Sequence, residues 1–155
     1  MGSYTFGNYN QEHMARAIGK SLPISFKQSV EICRFIKNRN TDDIKRILQS
    51  VMKKKTAIPF TKYNSDLAHK RKVGPGRYPE KASMEFIKLI ESAESNAQFK
   101  GLNTSNLIIA HVSAHKASKV WHSGRKSRRK MKRTNVEIVV EEKSGGKSIG
   151  AKQEK

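Results

Sequence analysis

The sequence predicts a mixed fold of three helices and a few strands, with one long β-hairpin towards the C-terminal end. Three stretches, 26–38, 42–53 and 80–99, repeat apolar residues at spacings of three and four, which is typical of amphipathic helices. Two later stretches, 107–114 and 136–142, are rich in branched residues and favour strands. The segment that joins these strands is polar and strongly basic, and this pattern predicts the hairpin.

The first part of the chain predicts a short strand and then a helix. Residues 13–22 are compatible with a strand that Pro23 interrupts. Ser25 has the right chemistry for the N-cap of the first helix. The apolar stripe that predicts this helix contains Phe26, Val30, Cys33 and Ile36.

The second helix begins with two acids and is followed by three lysines. Asp42 and Asp43 follow Thr41 at the helix start, where the helix dipole favours negative charge. Its apolar stripe runs from Ile44 to Met52. Lys53–Lys55 have two equally open interpretations, a charged helix end or a direct contact with an anion.

A long segment without periodicity separates the second and third helices. Residues 56–79 contain three of the four prolines and two glycines, which predicts a long loop or inserted excursion. Loops of this length are usually functional or disordered. Pro79 suits the start of the third helix, and Gly101 suits its end.

The charge of the chain is large and unevenly distributed. The sequence has 32 Lys and Arg against 13 Asp and Glu, which leaves a formal net charge of +19. Hydrophobic residues make up 35%, below the roughly 45–50% of an average domain, so we expect a small core. No acid lies between Glu94 and Glu137, whereas nine cations lie between 116 and 133. An excess of one sign on a compact chain indicates a polyanionic partner, with nucleic acid as the first candidate and an anionic membrane as the second.

The basic segment between the last two strands predicts a projecting arm. Ser123 and Gly124 lie near its expected tip, and two legs of about 10 residues would reach about 30–35 Å. Almost nothing in such an arm can be buried, and an isolated hairpin is marginally stable in water. The arm therefore needs a partner that encloses it.

No constellation of residues predicts an enzyme, a metal site or a cofactor. His111 and His115 are four residues apart, but on a strand this spacing separates two side chains by about 13 Å. Capping explains Asp42 and Asp43 better than catalysis does. Cys33, the single cysteine, lies on an apolar stripe and is expected in the core. No apolar run approaches the roughly 18 residues that span a bilayer, so we expect a soluble intracellular protein.

Nucleic-acid binding is the function that the arm indicates most strongly. Its cations would neutralise phosphates and release counterions, and Trp121 could stack on an unpaired base. A solvated basic linker is the alternative interpretation of the same charges. A DNA-binding chromatin protein and an RNA-processing enzyme are alternative functions, although no recognition helix or catalytic motif supports them.

The order of these elements resembles the universal large-subunit ribosomal protein L-twenty-two family, in its archaeal and eukaryotic form (L-seventeen in the eukaryotic nomenclature). The resemblance spans about residues 10–143. Its most specific part is the third helix with its ESAESNAQFKGL ending, and segment 57–78 matches an insertion that distinguishes this form from the bacterial one. The arm tip, WHSGRKSRRKMKR, departs from the usual arginine–glycine pattern. The other matching stretches are ARAIGKSLPIS, IPFTKYN, LIIAHVSAHKASK and VEIVVEEK.

The resemblance implies an α+β fold in which three helices pack on a small antiparallel sheet and one long hairpin projects away. It implies a structural protein that binds large-subunit ribosomal RNA and supports subunit assembly. The globular part would lie near the exit of the polypeptide tunnel, and the hairpin would line the tunnel wall. Implied partners are neighbouring large-subunit proteins and the nascent polypeptide in a cytoplasmic ribosome, with no membrane and no isolated homo-oligomer.

The resemblance also implies a domain organisation and a set of RNA-binding residues. Residues 1–143 would form a single ribosomal protein domain, with the inserted loop at 57–78 and the basic arm at 115–135. The tail at 144–155 is low in apolar residues and is expected to be disordered. No catalytic or metal-binding residue and no cofactor is implied. The expected RNA-binding residues on the arm and the inserted loop are Lys116, Lys119, Trp121, Arg125, Lys126, Arg128, Arg129, Lys130, Lys132, Arg133, Lys62, Lys70, Arg71, Lys72 and Arg77.

Overall fold

The computed structural model describes residues 4–143, which form three helices and two antiparallel sheets. This architecture confirms the predicted α+β class. The predicted tail at 144–155 lies outside the described residues. In chain order the elements are β1 (Met14–Leu22), α1 (Phe26–Ile36), α2 (Thr41–Met52), β2 (Ile58–Pro59), β3 (His69–Lys70), β4 (Gly74–Arg77), α3 (Glu80–Phe99), β5 (Leu107–Lys116) and β6 (Thr134–Glu142).

The main sheet has the strand order β1-β6-β5, and all its pairings are antiparallel. Ile138 in the central strand pairs with Ala17 on one side and Val112 on the other. Its neighbours on the same face, Val136 and Val140, are fully buried, as the alternation in the sequence predicts. The sheet therefore places the apolar faces of its three strands against the helices.

The helices begin and end close to the predicted positions. α3 spans the predicted residues 80–99, while α1 and α2 end two and one residues earlier than predicted. Asn40 caps α2, because its side-chain oxygen accepts a hydrogen bond from the Asp42 amide at 3.3 Å. The core between the helices and the sheet is completed by fully buried side chains, among them Phe86, Ile90, Ile32, Ile36, Ile44 and Leu48.

The inserted segment has more structure than the predicted loop. β2, β3 and β4 form a second, small sheet with the order β2-β4-β3. This sheet is attached to α1 through Glu31, which is only 1% exposed. The Glu31 carboxylate accepts hydrogen bonds from the backbone amides of Thr61, Lys62 and Tyr63 at 3.2, 3.0 and 2.7 Å. One buried carboxylate thus orients the start of the insertion.

The N-terminal segment covers part of the outer face of the main sheet. The Thr5 hydroxyl and the Thr5 and Phe6 amides donate hydrogen bonds to the carboxylate of Glu137 at 2.6, 2.9 and 3.2 Å. The Phe6 ring stacks on His111 with 4.8 Å between centroids. His115 lies within hydrogen-bonding distance of Ser113, 3.0 Å from its hydroxyl. Both histidines therefore take part in packing, with their side chains in contact with neighbouring residues.

Acidification is expected to release this N-terminal segment. Burial alone would raise the pKa of Glu137, but the hydrogen bonds from Thr5 and Phe6 hold it below its ordinary value of 4.5. Their stabilisation is present above 4.5 and is lost as the pH falls through the lowered pKa. Burial lowers the pKa of His111 from 6.5, although the negative charge of Glu137 acts in the opposite direction. The stability that the neutral His111 ring contributes is therefore also lost as the pH falls below 6.5.

An NMR pH titration of the Thr5 and Phe6 amides checks this prediction. Their chemical shifts should move towards unfolded-chain values on acidification, in a step that the Glu137→Gln variant lacks. Wild-type amide shifts that stay constant from above pH 6.5 to well below pH 4.5 would contradict the prediction.

Candidate nucleic-acid interface

The arm between β5 and β6 is paired irregularly along its length. Beyond the last ladder pair, Lys116 with Thr134, the backbone is connected by hydrogen bonds from Ala117 to Arg133 and from Met131 to Val120, at 3.2 and 2.8 Å. Trp121 and Lys130 form an isolated antiparallel bridge. Gly124, with a φ of +62°, begins a short 3-10 turn at 124–126 that reverses the chain. The reversal therefore includes the glycine that the sequence predicts near the tip.

The cations of the arm lie at the surface. Between His115 and Arg133 no side chain is buried, and eight of the nine predicted cations are exposed. Arg133 is half-buried, and its guanidinium donates to the Ser21 carbonyl at 3.3 Å. The exposed cations are therefore free of any structural role in the core and available to a partner.

Trp121 combines an exposed ring with a neighbouring charge. Its side chain is 58% exposed, and the Lys130 ammonium lies 4.6 Å from the ring centroid. A cation over an indole face is favourable even at exposed sites. The pair presents an aromatic surface beside a positive charge, which suits an unpaired base and its phosphate.

The base of the arm closes one side of a basic cleft of about 490 Å³. The opposite side is formed by the first turn of α1 and by two residues of the insertion, Asn64 and Arg77. No acidic side chain lines the cleft. We refer to it as the arm cleft, and its six cations are Lys27, Arg77, Lys116, Lys119, Lys132 and Arg133.

Lys27 belongs to the arm cleft and is missing from the residues predicted from the sequence. It lies in the first turn of α1, which contains no acid. A cation there opposes the helix dipole, and this unfavourable placement is the signal that could have identified it. Phe26 contributes from the same turn, because its ring centroid lies 5.6 Å from the Lys116 ammonium.

The predicted RNA-binding cations of the inserted segment lie in several separate places. Arg77 lines the arm cleft and also a neighbouring cavity of about 520 Å³, where Lys70 and Lys54 lie. Lys70 is also 5.9 Å from the Tyr78 ring centroid. Lys62, Arg71 and Lys72 are exposed but line neither cavity. The structure thus brings Arg77 to the arm, while the other predicted insertion cations lie outside the arm cleft.

Several acidic side chains form ion pairs with lysines outside the arm cleft. Lys45 bridges Asp42 and Glu94 at 2.9 Å each. Burial would lower the pKa of Lys45, but these hydrogen bonds and charges raise it above the ordinary value. Lys54 pairs with Glu80 at 3.2 Å, which shows that at least one of the three lysines after α2 has a protein partner. Because no acid lines the arm cleft, its positive charge has no compensation there.

Phosphate binding is the chemistry that this arrangement supports. Lysine ammonium groups and arginine guanidinium groups are the usual protein donors to phosphate, and several of them along one surface neutralise a nucleic-acid backbone.

Within residues 4–143, no group of three or more His, Cys, Asp or Glu side chains could hold a metal ion. No described helix is long and apolar enough to cross a membrane. Cys33 is buried in the core as predicted, and burial raises the pKa of its thiol to about 12.

Comparison with known proteins assigns the chain to a family. Residues 17–141 match the family model described as "Ribosomal protein L22p/L17e". A relative from Archaeoglobus fulgidus is 36% identical over 147 residues, covering 90% of this chain and 95% of the relative. Relatives from Methanoculleus marisnigri and Thermoplasma volcanium are 43% and 46% identical, covering 84% and 68% of this chain and 91% and 71% of their own lengths. All three are named "Large ribosomal subunit protein uL22". The chain therefore belongs to the L22p/L17e family of ribosomal proteins.

Proposed function

We propose that this chain is a structural constituent of the large ribosomal subunit and binds large-subunit ribosomal RNA through the arm and the arm cleft. The observation that carries this proposal is the continuity of the two basic surfaces. Four of the six cleft cations, Lys116, Lys119, Lys132 and Arg133, are residues of the arm itself or of its base. A phosphate backbone held in the cleft would thus continue along the arm without meeting an acid.

Family membership supports the identity of the nucleic acid. Matched relatives carry names that place them in the large ribosomal subunit, and they align with most of this chain. Proteins of this family are structural components, and the chain is accordingly not an enzyme. Its place of action is the ribosome in the cytoplasm.

The finer placement follows the family resemblance. The globular part lies near the exit of the polypeptide tunnel, beside neighbouring large-subunit proteins, and the arm lines the tunnel wall where the nascent polypeptide passes. The exposed and irregularly paired arm is suited to such a place, because RNA on several sides would supply the enclosure that it lacks alone. By joining separate RNA segments, the protein would support subunit assembly.

Co-sedimentation with purified large subunits tests the proposal, with a variant in which Arg128 and Arg129 are both replaced by glutamate. The wild-type chain should assemble into particles at moderate salt, and the variant should bind about 10-fold more weakly or worse. A lower salt dependence should accompany the loss, since two phosphate contacts disappear. Both side chains are exposed, so the fold should be retained.

The neutral variant with Gln at both positions provides the control for charge repulsion. It should fall between the wild type and the reversed variant. Association of the wild-type chain with the DNA fraction instead of the large subunits would contradict the proposal and favour a chromatin protein. An unchanged salt dependence in the reversed variant would mean that the arm does not contact phosphate.

A further inference from the structure

Phe99 is an unusually exposed aromatic residue for a helix that packs on a sheet. It is the last residue of α3, and its side chain is 94% exposed. The other large apolar side chains exposed in the described chain range from 36% to 58%. A phenylalanine in water forgoes the favourable free energy of burial, so its ring is available to a partner that would cover it.

A cavity lies beside Phe99, away from the arm. Its volume is about 460 Å³, and among the residues that line it are Tyr4, Tyr9, Arg16, Asn96 and Lys100. Arg16 pairs with Val139, five positions along β6 from Thr134 at the base of the arm, or about 17 Å. No acid lines the cavity. We call it the Phe99 pocket.

Arg16 lies close to two tyrosine rings in the Phe99 pocket. Its guanidinium carbon lies 4.0 Å from the ring centroid of Tyr4 and 4.3 Å from that of Tyr9. In the described part of the chain it forms no ion pair with a carboxylate. Contacts with aromatic rings do not use the N–H donors at the edge of a guanidinium, so these donors stay available to an anion.

Lys100 shapes the pocket instead of offering a free donor. Its ammonium donates to the Tyr9 hydroxyl and to the carbonyls of Gln11 and Met14, at 2.6, 3.1 and 2.9 Å. These three bonds use all its protons and connect the N-terminal segment to the end of α3. The positive charge of Lys100 remains beside Phe99, but the N–H donors that are available to an anion belong to Arg16.

We propose that the Phe99 pocket binds one unpaired nucleotide of RNA, with the base stacked on Phe99 and the phosphate held by the edge of Arg16. An exposed aromatic ring beside a cation with free donors is the combination that recognises splayed-out nucleotides. The positive charge and the lack of acids favour this occupant over an apolar protein segment. The proposal rests on RNA binding as the proposed function but adds a second contact on another face of the protein.

The test measures the preference for bases over bare backbone. Binding of the full chain to a short single-stranded oligoadenylate is compared with binding to an abasic strand of equal length and charge. Both are measured in a Trp121→Ala background, so that stacking on the arm does not contribute. Phe99→Ala should reduce the preference for the base-bearing strand by about 5-fold or more. Phe99→Tyr, which keeps a ring, should retain it.

Met84→Ala is the matched control, because Met84 is also an exposed apolar residue of α3 and lies outside the pocket. It should leave the preference unchanged. A Phe99→Ala variant that behaves like the Met84→Ala variant would overturn the nucleotide site, as would a protein partner that requires Phe99 while the RNA preference stays constant. In either case, a loss of affinity for large subunits in the variant with Arg128 and Arg129 replaced by glutamate would still support the proposed function. Failure of the nucleotide site can therefore be distinguished from failure of RNA binding through the arm.

Discussion

Replacement of Lys116 and Lys132 together by glutamate is expected to lower the affinity for large-subunit ribosomal RNA by about 10- to 100-fold. These lysines supply two of the six cations in the arm cleft. The glutamates that replace them would repel the phosphates of the RNA. The slope of log affinity against log salt should become shallower by about two, one for each lost phosphate contact. Filter binding of a ribosomal RNA fragment across a salt series measures both quantities.

The folded state should tolerate this pair of substitutions. Both side chains are exposed, and neither contributes to the core cluster. The interaction of Lys116 with the Phe26 ring, 5.6 Å away, is of the weak exposed kind. Melting curves of the variant and the wild type should therefore nearly coincide, which separates a binding defect from unfolding.

A matched reversal on the helices distinguishes the cleft from total charge. Arg46 on α2 and Lys88 on α3 are exposed and lie outside the arm cleft. Their joint replacement by glutamate changes the net charge by the same four units. If this variant loses as much affinity as the cleft variant, long-range attraction rather than local contact would account for RNA binding.

The sequence patterns predict best where local chemistry alone determines the structure. Apolar spacing, with Pro79 before it and Gly101 after it, predicts the limits of α3, and Gly101 has a φ of +78° that suits this role. The alternation in 136–142 predicts the burial of Val136, Ile138 and Val140, but not that of Glu137 and Val139 on the other face, which the N-terminal segment partly covers. The nine cations between 116 and 133, with no acid among them, predict where the arm lies, because a charged segment of that length cannot enter a core.

Features that depend on distant residues were not predicted. The small sheet of the insertion is connected to Glu31, about thirty positions earlier, and no periodicity marks its two-residue strands. The arm cleft includes Lys27 because α1 begins beside the base of the arm, a proximity that only the tertiary fold creates. Phe99 is outside the apolar stripe that predicts α3, and its 94% exposure could not be read from spacing alone.

Replacement of Glu31 by alanine is expected to destabilise the inserted segment by about 2–4 kcal/mol. The change removes the acceptor of three backbone amides, those of Thr61, Lys62 and Tyr63, and leaves a cavity beside α1. Because Thr61 and Lys62 are exposed, their freed amides can be hydrated once the segment opens. The loss should therefore appear as local opening before it appears as global unfolding.

Hydrogen exchange measured along the chain checks this expectation for the Glu31→Ala variant. Amides within 58–77 should exchange faster by about 30-fold or more, while those of β6 should change much less. Glu31→Gln should be intermediate, since one amide oxygen can still accept two of the bonds. Glu91→Ala, an exposed glutamate of α3, serves as the control and should change neither region. Equal acceleration in β6 and the insertion would instead mean that Glu31 supports the whole core. Unchanged hydrogen-exchange protection in both regions would mean that the three hydrogen bonds of Glu31 contribute little to stability. Contacts other than those of Glu31 would then hold the inserted segment, and with it Arg77, beside the arm cleft.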